Sequence, residues 1–228
     1  MTEQLPQESL GDNAHRVVLA ALSAIPYAGG AAVELFNLVI APPIQRRRDA
    51  WLNDLGEHIT KLEQEGRVRV EALQNNEEFI STIMQATLAA IRNHQKEKID
   101  ALRNAVLNTA IGKAPEDSKR EMFLAFVDIF TVTHLRILKE LSRSDTNGRN
   151  ASRIETSIPK IRELVTQLLP DLRDARELTE VAVEDLCRRG LLFWNRDGGV
   201  VYLRQDVHQV SEFGREFLRF ISEPQKDD

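Results

Sequence analysis

VVLAALSAIPYAGGAAVELFNLVIA, residues 17–41, is the stretch on which the architecture of this chain turns. Besides Tyr27 it carries one ionisable side chain, Glu34, and its centre is interrupted by Pro26, Gly29 and Gly30. A bilayer-spanning helix needs about 20 apolar residues in a row. A proline and a glycine pair in the middle break one continuous helix. The stretch therefore reads as two short helices, Val17 to Ile25 and Ala31 to Ala41, hinged over Pro26 to Gly30. The longer half rises roughly 16 Å, about half of a hydrocarbon core, so neither half spans alone. Glu34 and Asn37 lie three apart on one face. An acidic group at bilayer depth costs about 2.5–3.5 kcal/mol. Two readings stand: a helical hairpin buried by amphipathic helices around it, and a sequestered hairpin that is released into a membrane.

The exit from this stretch is Ala41-Pro42-Pro43, followed by Gln45-Arg46-Arg47-Arg48. Two prolines predict the end of the apolar helix at Ile40, and Pro43 is suited to open the next helix. The three arginines read either as a solvated first turn at the less favourable dipole end, or as a juxtamembrane basic cluster. In the second reading each meets anionic lipid with a gain of about 1 kcal/mol. Pro26, Gly29, Gly30, Phe36, Arg46, Arg47 and Arg48 form the expected membrane or partner contact set.

The composition, 42% hydrophobic and 29% charged, is that of a folded globular protein rather than a disordered one. A formal charge of −5 provides no global basic field for nucleic acid. Cys187, the single cysteine, excludes an internal disulfide and suits a reducing compartment. The polar, acidic start MTEQLPQESLGDN lacks the features of a secretory signal. The expected location is cytoplasmic, with conditional peripheral association with the inner membrane under the second reading.

Downstream, a helix carries Trp51, and Leu52, Leu55, Ile59 and Leu62 follow a heptad-like spacing that predicts packing on a partner helix, weakened at Gly66. Asn75 or Asn76 caps the next helix, with Glu77 and Glu78 in its first turn. Phe79, Ile80, Ile83, Met84, Thr87, Leu88 and Ile91 form its expected core face. That helix is expected to run on, bent near His94, to Gly112, and a fifth helix to run from Pro115–Ser118 through Leu141. Residues 142–153, SRSDTNGRNASR, are small and polar and place a linker over 142–157, between a helical domain (13–141) and a C-terminal module (158–222). Residues 1–12 and 223–228 read as tails.

In the C-terminal module, helices over Ile158–Leu169 and Leu178–Arg189 precede Leu191–Trp194 and Val200–Leu203, which flank the Gly-containing turn Asn195–Gly199. A last helix carries Phe213, Phe217 and Phe220. This order is the plan of a winged helix, a helix-turn-helix variant. Phosphate contact supplies most DNA affinity, yet residues 171–228 hold nine Lys and Arg against thirteen Asp and Glu. The second helix, with Glu177, Glu180, Glu184 and Asp185 against Arg188 and Arg189, would be repelled from a groove. Nucleic acid is therefore the disfavoured partner; a protein partner or a homo-oligomer is the expected one, with a membrane as the conditional one. The expected fold class is mainly α, a helical bundle with an N-terminal apolar hairpin followed by a small winged-helix-like α+β module.

The five histidines show no ligand-like spacing, Cys187 has no paired histidine motif, and Gly29-Gly30 lacks the strand and Lys-Ser/Thr of a phosphate loop. No metal, cofactor or catalytic set is expected, and the chain is read as a non-enzyme.

Three segments carry a resemblance. Ile25-Pro26-Tyr27-Ala28-Gly29-Gly30, the Ala41-Pro42-Pro43 exit and Val210-Ser-Glu-Phe-Gly-Arg-Glu-Phe-Leu-Arg-Phe-Ile221 are similar to bacterial abortive-infection proteins of the Abi-alpha type. The last segment is similar to that family's Leu-Thr-Pro-Leu-Gly-type ending, with Ser211 and Gly214 in the matching places. The resemblance implies a phage-defence effector and brings no catalytic residues with it. The apolar hairpin also resembles, at the level of architecture alone, those of helical pore-forming toxins. The alternative is a cytosolic winged-helix transcriptional regulator with a helical dimerisation domain.

Overall fold

The computed structural model describes residues 36–146, 157–194 and 209–225, and it is mainly helical. The expected apolar hairpin, up to residue 35, lies outside the described residues. A π-helical turn, Phe36–Ile40, runs directly into α1, Ala41–Gln64. The expected stop at Ile40 is thus corrected, since the π turn runs into α1 without a break, while the prolines do open α1, sitting in its first turn as expected of Pro43. Neither proline can donate a backbone hydrogen bond, and the wide π turn carries the chain past the two missing donors without ending the helix.

α1 buries Trp51, Leu55 and Leu62 and leaves Leu52 outside. The packed seam therefore starts at position 51 rather than 52, because the indole brings the larger apolar surface and its N–H finds Thr87 Oγ1 at 2.9 Å. Gly66 ends the helix rather than weakening it. At φ 71° it takes the left-handed position, with its N–H bonded to Glu63 O and the Arg67 N–H to Leu62 O, both at 2.9 Å. A short α2, Val70–Leu73, leads to α3, Glu77–Arg92, whose first turn is capped by Asn76 Oδ1 accepting from Phe79 N–H at 3.0 Å. Trp51 meets Thr87 while the end of α1 leads into the start of α3, so the two helices run antiparallel.

α3 buries Phe79, Thr82, Ala86, Ala89 and Ala90, whereas Ile80, Met84 and Leu88 of the expected core face are exposed. The alanines let α4, Lys96–Ala110, approach closely, and α3 with α4 is the most extensive helix pair. These two helices are separate, not one bent helix: Asn93 ends α3 in extended backbone and its side chain donates to Ala89 O at 2.8 Å. The expected fifth helix is likewise two, α5 (Asp117–Ile129) and α6 (Val132–Thr146), parted at the extended Phe130. α6 runs five residues into the expected linker, burying Ser144 and Asp145.

α7 (Ile158–Leu168) starts where expected, a 3-10 turn spans Pro170–Leu172, and α8 (Arg176–Arg188) ends at Gly190, φ 75°, in the same capping arrangement as Gly66. Among the described residues there is no strand. One antiparallel bridge joins Leu192 to Val210, with Phe193 N–H to Gln209 O at 2.8 Å. The expected partner segment, Val200–Leu203, lies outside the described residues. α9, Glu212–Phe220, closes the bundle.

One buried apolar cluster extends from Trp51 to Phe220, so α7 to α9 share a core with α1 to α6. Phe123 of α5 is its hub, with ring centroids 4.9 Å from Phe213, 5.2 Å from Phe217 and 6.2 Å from Phe220. Polar clamps join the same parts. Asn108 Nδ2 of α4 donates to Phe220 O and Ser222 O, both at 2.8 Å, capping α9 from outside. The Asp145 carboxylate accepts from the buried N–H groups of Gln209 (3.1 Å) and Val210 (3.0 Å). At Gly214 a Cβ would stand 2.3 Å from Leu191 O, so only glycine allows α9 its approach to that carbonyl.

Candidate functional site

α1 outruns the helices around it. From Trp51 onward it packs in the core, whereas between a buried Ala41 and Trp51 no residue is buried, Pro43 and Arg48 being half-buried and the rest exposed. Its apolar stripe continues along this free part. Ile40 and Ile44 precede Trp51 by whole turns on the same side of the helix, and both are exposed. Val39 is exposed as well, and Leu38, at 76%, is the most exposed large apolar side chain among the described residues.

The arginines follow within a turn. Arg46 is exposed and its Nε reaches Pro42 O at 3.4 Å, a long contact to a carbonyl of the first turn. Arg47 is exposed with no hydrogen bond or ion pair among the described residues, and Arg48 is held by Asp49 Oδ1 at 2.9 Å. Two of three guanidinium groups thus face outward beside an apolar run. Of the other residues expected at this site, Phe36 opens the π turn, and Pro26, Gly29 and Gly30 lie outside the described residues. Leu38, Val39, Ile40 and Ile44 belong to the same surface. The signal for them was the stripe Ile40, Ile44, Trp51 and Leu55, hidden by reading the two prolines as a stop.

No group of three or more potential metal ligands exists among the described residues, and none of their helices is long and apolar enough to cross a membrane. Burial pushes the Cys187 thiol up to about 12, with Glu184 adding to it, so the sulfur stays protonated and unreactive. His134 is buried, stacked on Phe130 at 4.9 Å between centroids, and its Nδ1 accepts from Thr131 N–H and meets Thr131 Oγ1 at 2.8 Å. Its Nε2 lies 3.7 Å from Asp185 Oδ2. Burial holds this imidazole below its usual range, opposed by Asp185 and aided by Arg189 and Lys98. Burial also lowers Lys98, whose Nζ donates to Asp128 O at 2.6 Å.

A cleft of about 550 Å³ lies between α1, α4, α6 and the end of α9, floored by Leu62, Leu107, Leu135 and Ile221. Its Arg103 binds Asp54 (3.1 Å) and Asp100 (2.9 Å), and its Arg136 binds Asp171 (2.9 Å), so these cations serve internal ion pairs. On α8 the two terminal arginines are engaged too: Arg188 with Glu184 at 2.5 Å, Arg189 over the rings of Phe126 and Phe130 at 5.4 and 5.5 Å. Comparison with known protein families, curated proteins and solved structures returns no match to this chain.

Proposed function

We propose that this chain is a non-enzymatic helical effector or interaction protein that meets an anionic bilayer through its apolar N-terminal stretch and the first turns of α1. The observation that carries the reading is the free end of α1, where exposed Leu38, Val39, Ile40 and Ile44 sit within a turn or two of the outward Arg46 and Arg47. Apolar side chains beside arginines suit the boundary between acyl chains and acidic headgroups. Each arginine near such a surface gains about 1 kcal/mol, and each apolar Å² removed from water about 25 cal/mol. The setting in phage defence is the one implied by the abortive-infection resemblance and belongs to the proposal.

Co-sedimentation of the full chain with vesicles containing phosphatidylglycerol, against vesicles of phosphatidylcholine alone, tests it. Binding should need the acidic lipid, weaken with salt, and fall about tenfold or more when Arg46, Arg47 and Arg48 are all changed to Glu. Equal binding by that variant, or no binding by the unaltered chain at low salt, overturns the reading.

A further inference from the structure

The cleft between α1, α4, α6 and the end of α9, about 550 Å³, has the size of a small-molecule site, roughly 300–1,000 Å³. It follows from how four helices pair. α1 packs on α4, α4 on α9 and α9 on α6, whereas α1 and α6 make no extensive contact with each other. The sides they turn to the gap are both basic: His58 and Lys61 on α1, Arg136 and Lys139 on α6. Like charges on the two walls oppose its closure. Below them the lining is aliphatic, with Leu62, Ala101, Leu107 and Leu135 buried and Leu218 and Ile221 half-buried. Among the described residues no Phe, Tyr or Trp lines the cleft, so its floor suits an aliphatic chain rather than a stacked ring.

The charges around this floor are of two kinds. Arg103 is held by Asp54 and Asp100, Arg136 by Asp171, and Arg67 lies 3.7 Å from Glu65 and donates to Gln225 O at 2.6 Å. Lys61 and Lys139 are exposed and have no hydrogen bond or ion pair among the described residues. Asp100 and Glu65 are neutralised by the arginines beside them. Of the other two lining carboxylates, Glu97 sits in the first turn of α4, where the helix dipole favours it, and Glu223 lies past the end of α9. The uncommitted cations are thus two lysines, one on each wall.

We propose that this cleft binds a small amphiphile with one anionic head on an aliphatic chain, a fatty acid being the simplest. The chain lies on the leucine floor, and Lys61 and Lys139 reach the head from opposite walls. Lysine suits this role because its ammonium is a point charge on a flexible stem, able to follow the head wherever the length of the chain puts it. The site is separate from the membrane reading, since Lys61 lies fourteen residues, about 21 Å, along α1 from Arg47.

Decanoate below its micelle concentration is the probe, with titration calorimetry of the full chain for affinity and methyl NMR for place. Binding should saturate at about one decanoate per chain, and octanoate, two methylenes shorter, should bind about tenfold more weakly. The methyl signals of Leu62, Leu107, Leu135 and Ile221 should shift, while those of Ile80, Met84 and Leu88 on the exposed side of α3 should not. Lys61→Gln combined with Lys139→Gln should weaken decanoate about tenfold or more at low salt and leave the thermal midpoint in place, because both side chains are exposed and unpaired. Decyltrimethylammonium, with the same chain and the opposite charge, should bind at least about tenfold more weakly than decanoate. No saturable binding, shifts confined to the α3 side, full affinity in the double variant, or equal affinity for the cation each overturns the proposal.

Discussion

Asp145→Ala tests how firmly the C-terminal helices belong to the bundle. Asp145 lies near the end of α6, and its two carboxylate oxygens each accept one backbone N–H, from Gln209 at 3.1 Å and Val210 at 3.0 Å. Those residues are 1% and 0% exposed, so water cannot replace the lost acceptor. A hydrogen bond to a charged group contributes about 1.5–3 kcal/mol, and a buried donor left without a partner costs on the same scale. Losing both bonds should therefore cost about 3–5 kcal/mol, a large share of the 5–15 kcal/mol of an ordinary domain. Asp145→Asn keeps one acceptor and turns an amide N–H₂ toward the other donor, so it should recover less than half of the loss. Urea unfolding at neutral pH, followed by circular dichroism, measures both. Because Phe217 and Phe220 share a core with Phe123, the transition should stay single, with its midpoint lowered and its slope kept. A loss under about 1 kcal/mol in Asp145→Ala would refute the argument that this carboxylate anchors those two donors.

Four further outcomes are expected. Gly214→Ala should destabilise by about 1–3 kcal/mol despite alanine's better helix propensity, because its Cβ would stand 2.3 Å from Leu191 O. Gly56→Ala, with open space around it, should be neutral or stabilise by up to about 1 kcal/mol, and thermal melts measure both glycine variants. For His134, burial keeps the folded imidazole from taking up a proton that the unfolded chain binds near its ordinary value of 6.5. Stability should thus be fully present above pH 6.5 and decline as pH falls below it, and His134→Gln should flatten that decline in urea midpoints measured at pH 7 and pH 5. The Cys187 thiol should resist iodoacetamide at pH 8 until denaturant is added; rapid stoichiometric labelling of the native chain would contradict its burial.

Much of this architecture was legible in the sequence wherever a few neighbouring residues decide the outcome. Asn76 before Glu77 and Glu78 is a helix start, and Gly112 and Gly190 are helix ends, because caps and left-handed glycines act within one turn. The aromatic stripe of α9 was legible because its spacing is the period of the helix itself. At the candidate site, the arginines were found but the apolar residues beside them were not. Local rules treat Pro42-Pro43 as a stop, while a π turn lets the helix pass.

What only the tertiary structure decided is which side of each helix faces inward. α3 is apolar on two adjoining sides. Its alanine side was chosen because small residues let α4 pack close, and this left Ile80, Met84 and Leu88 outside. The same holds for Asp145. By itself it is a polar residue in a polar run, and it becomes an anchor when the chain, more than sixty residues later, brings two backbone donors against it. Helix boundaries are settled among neighbours a turn apart; burial is settled among residues that meet only when the chain has folded.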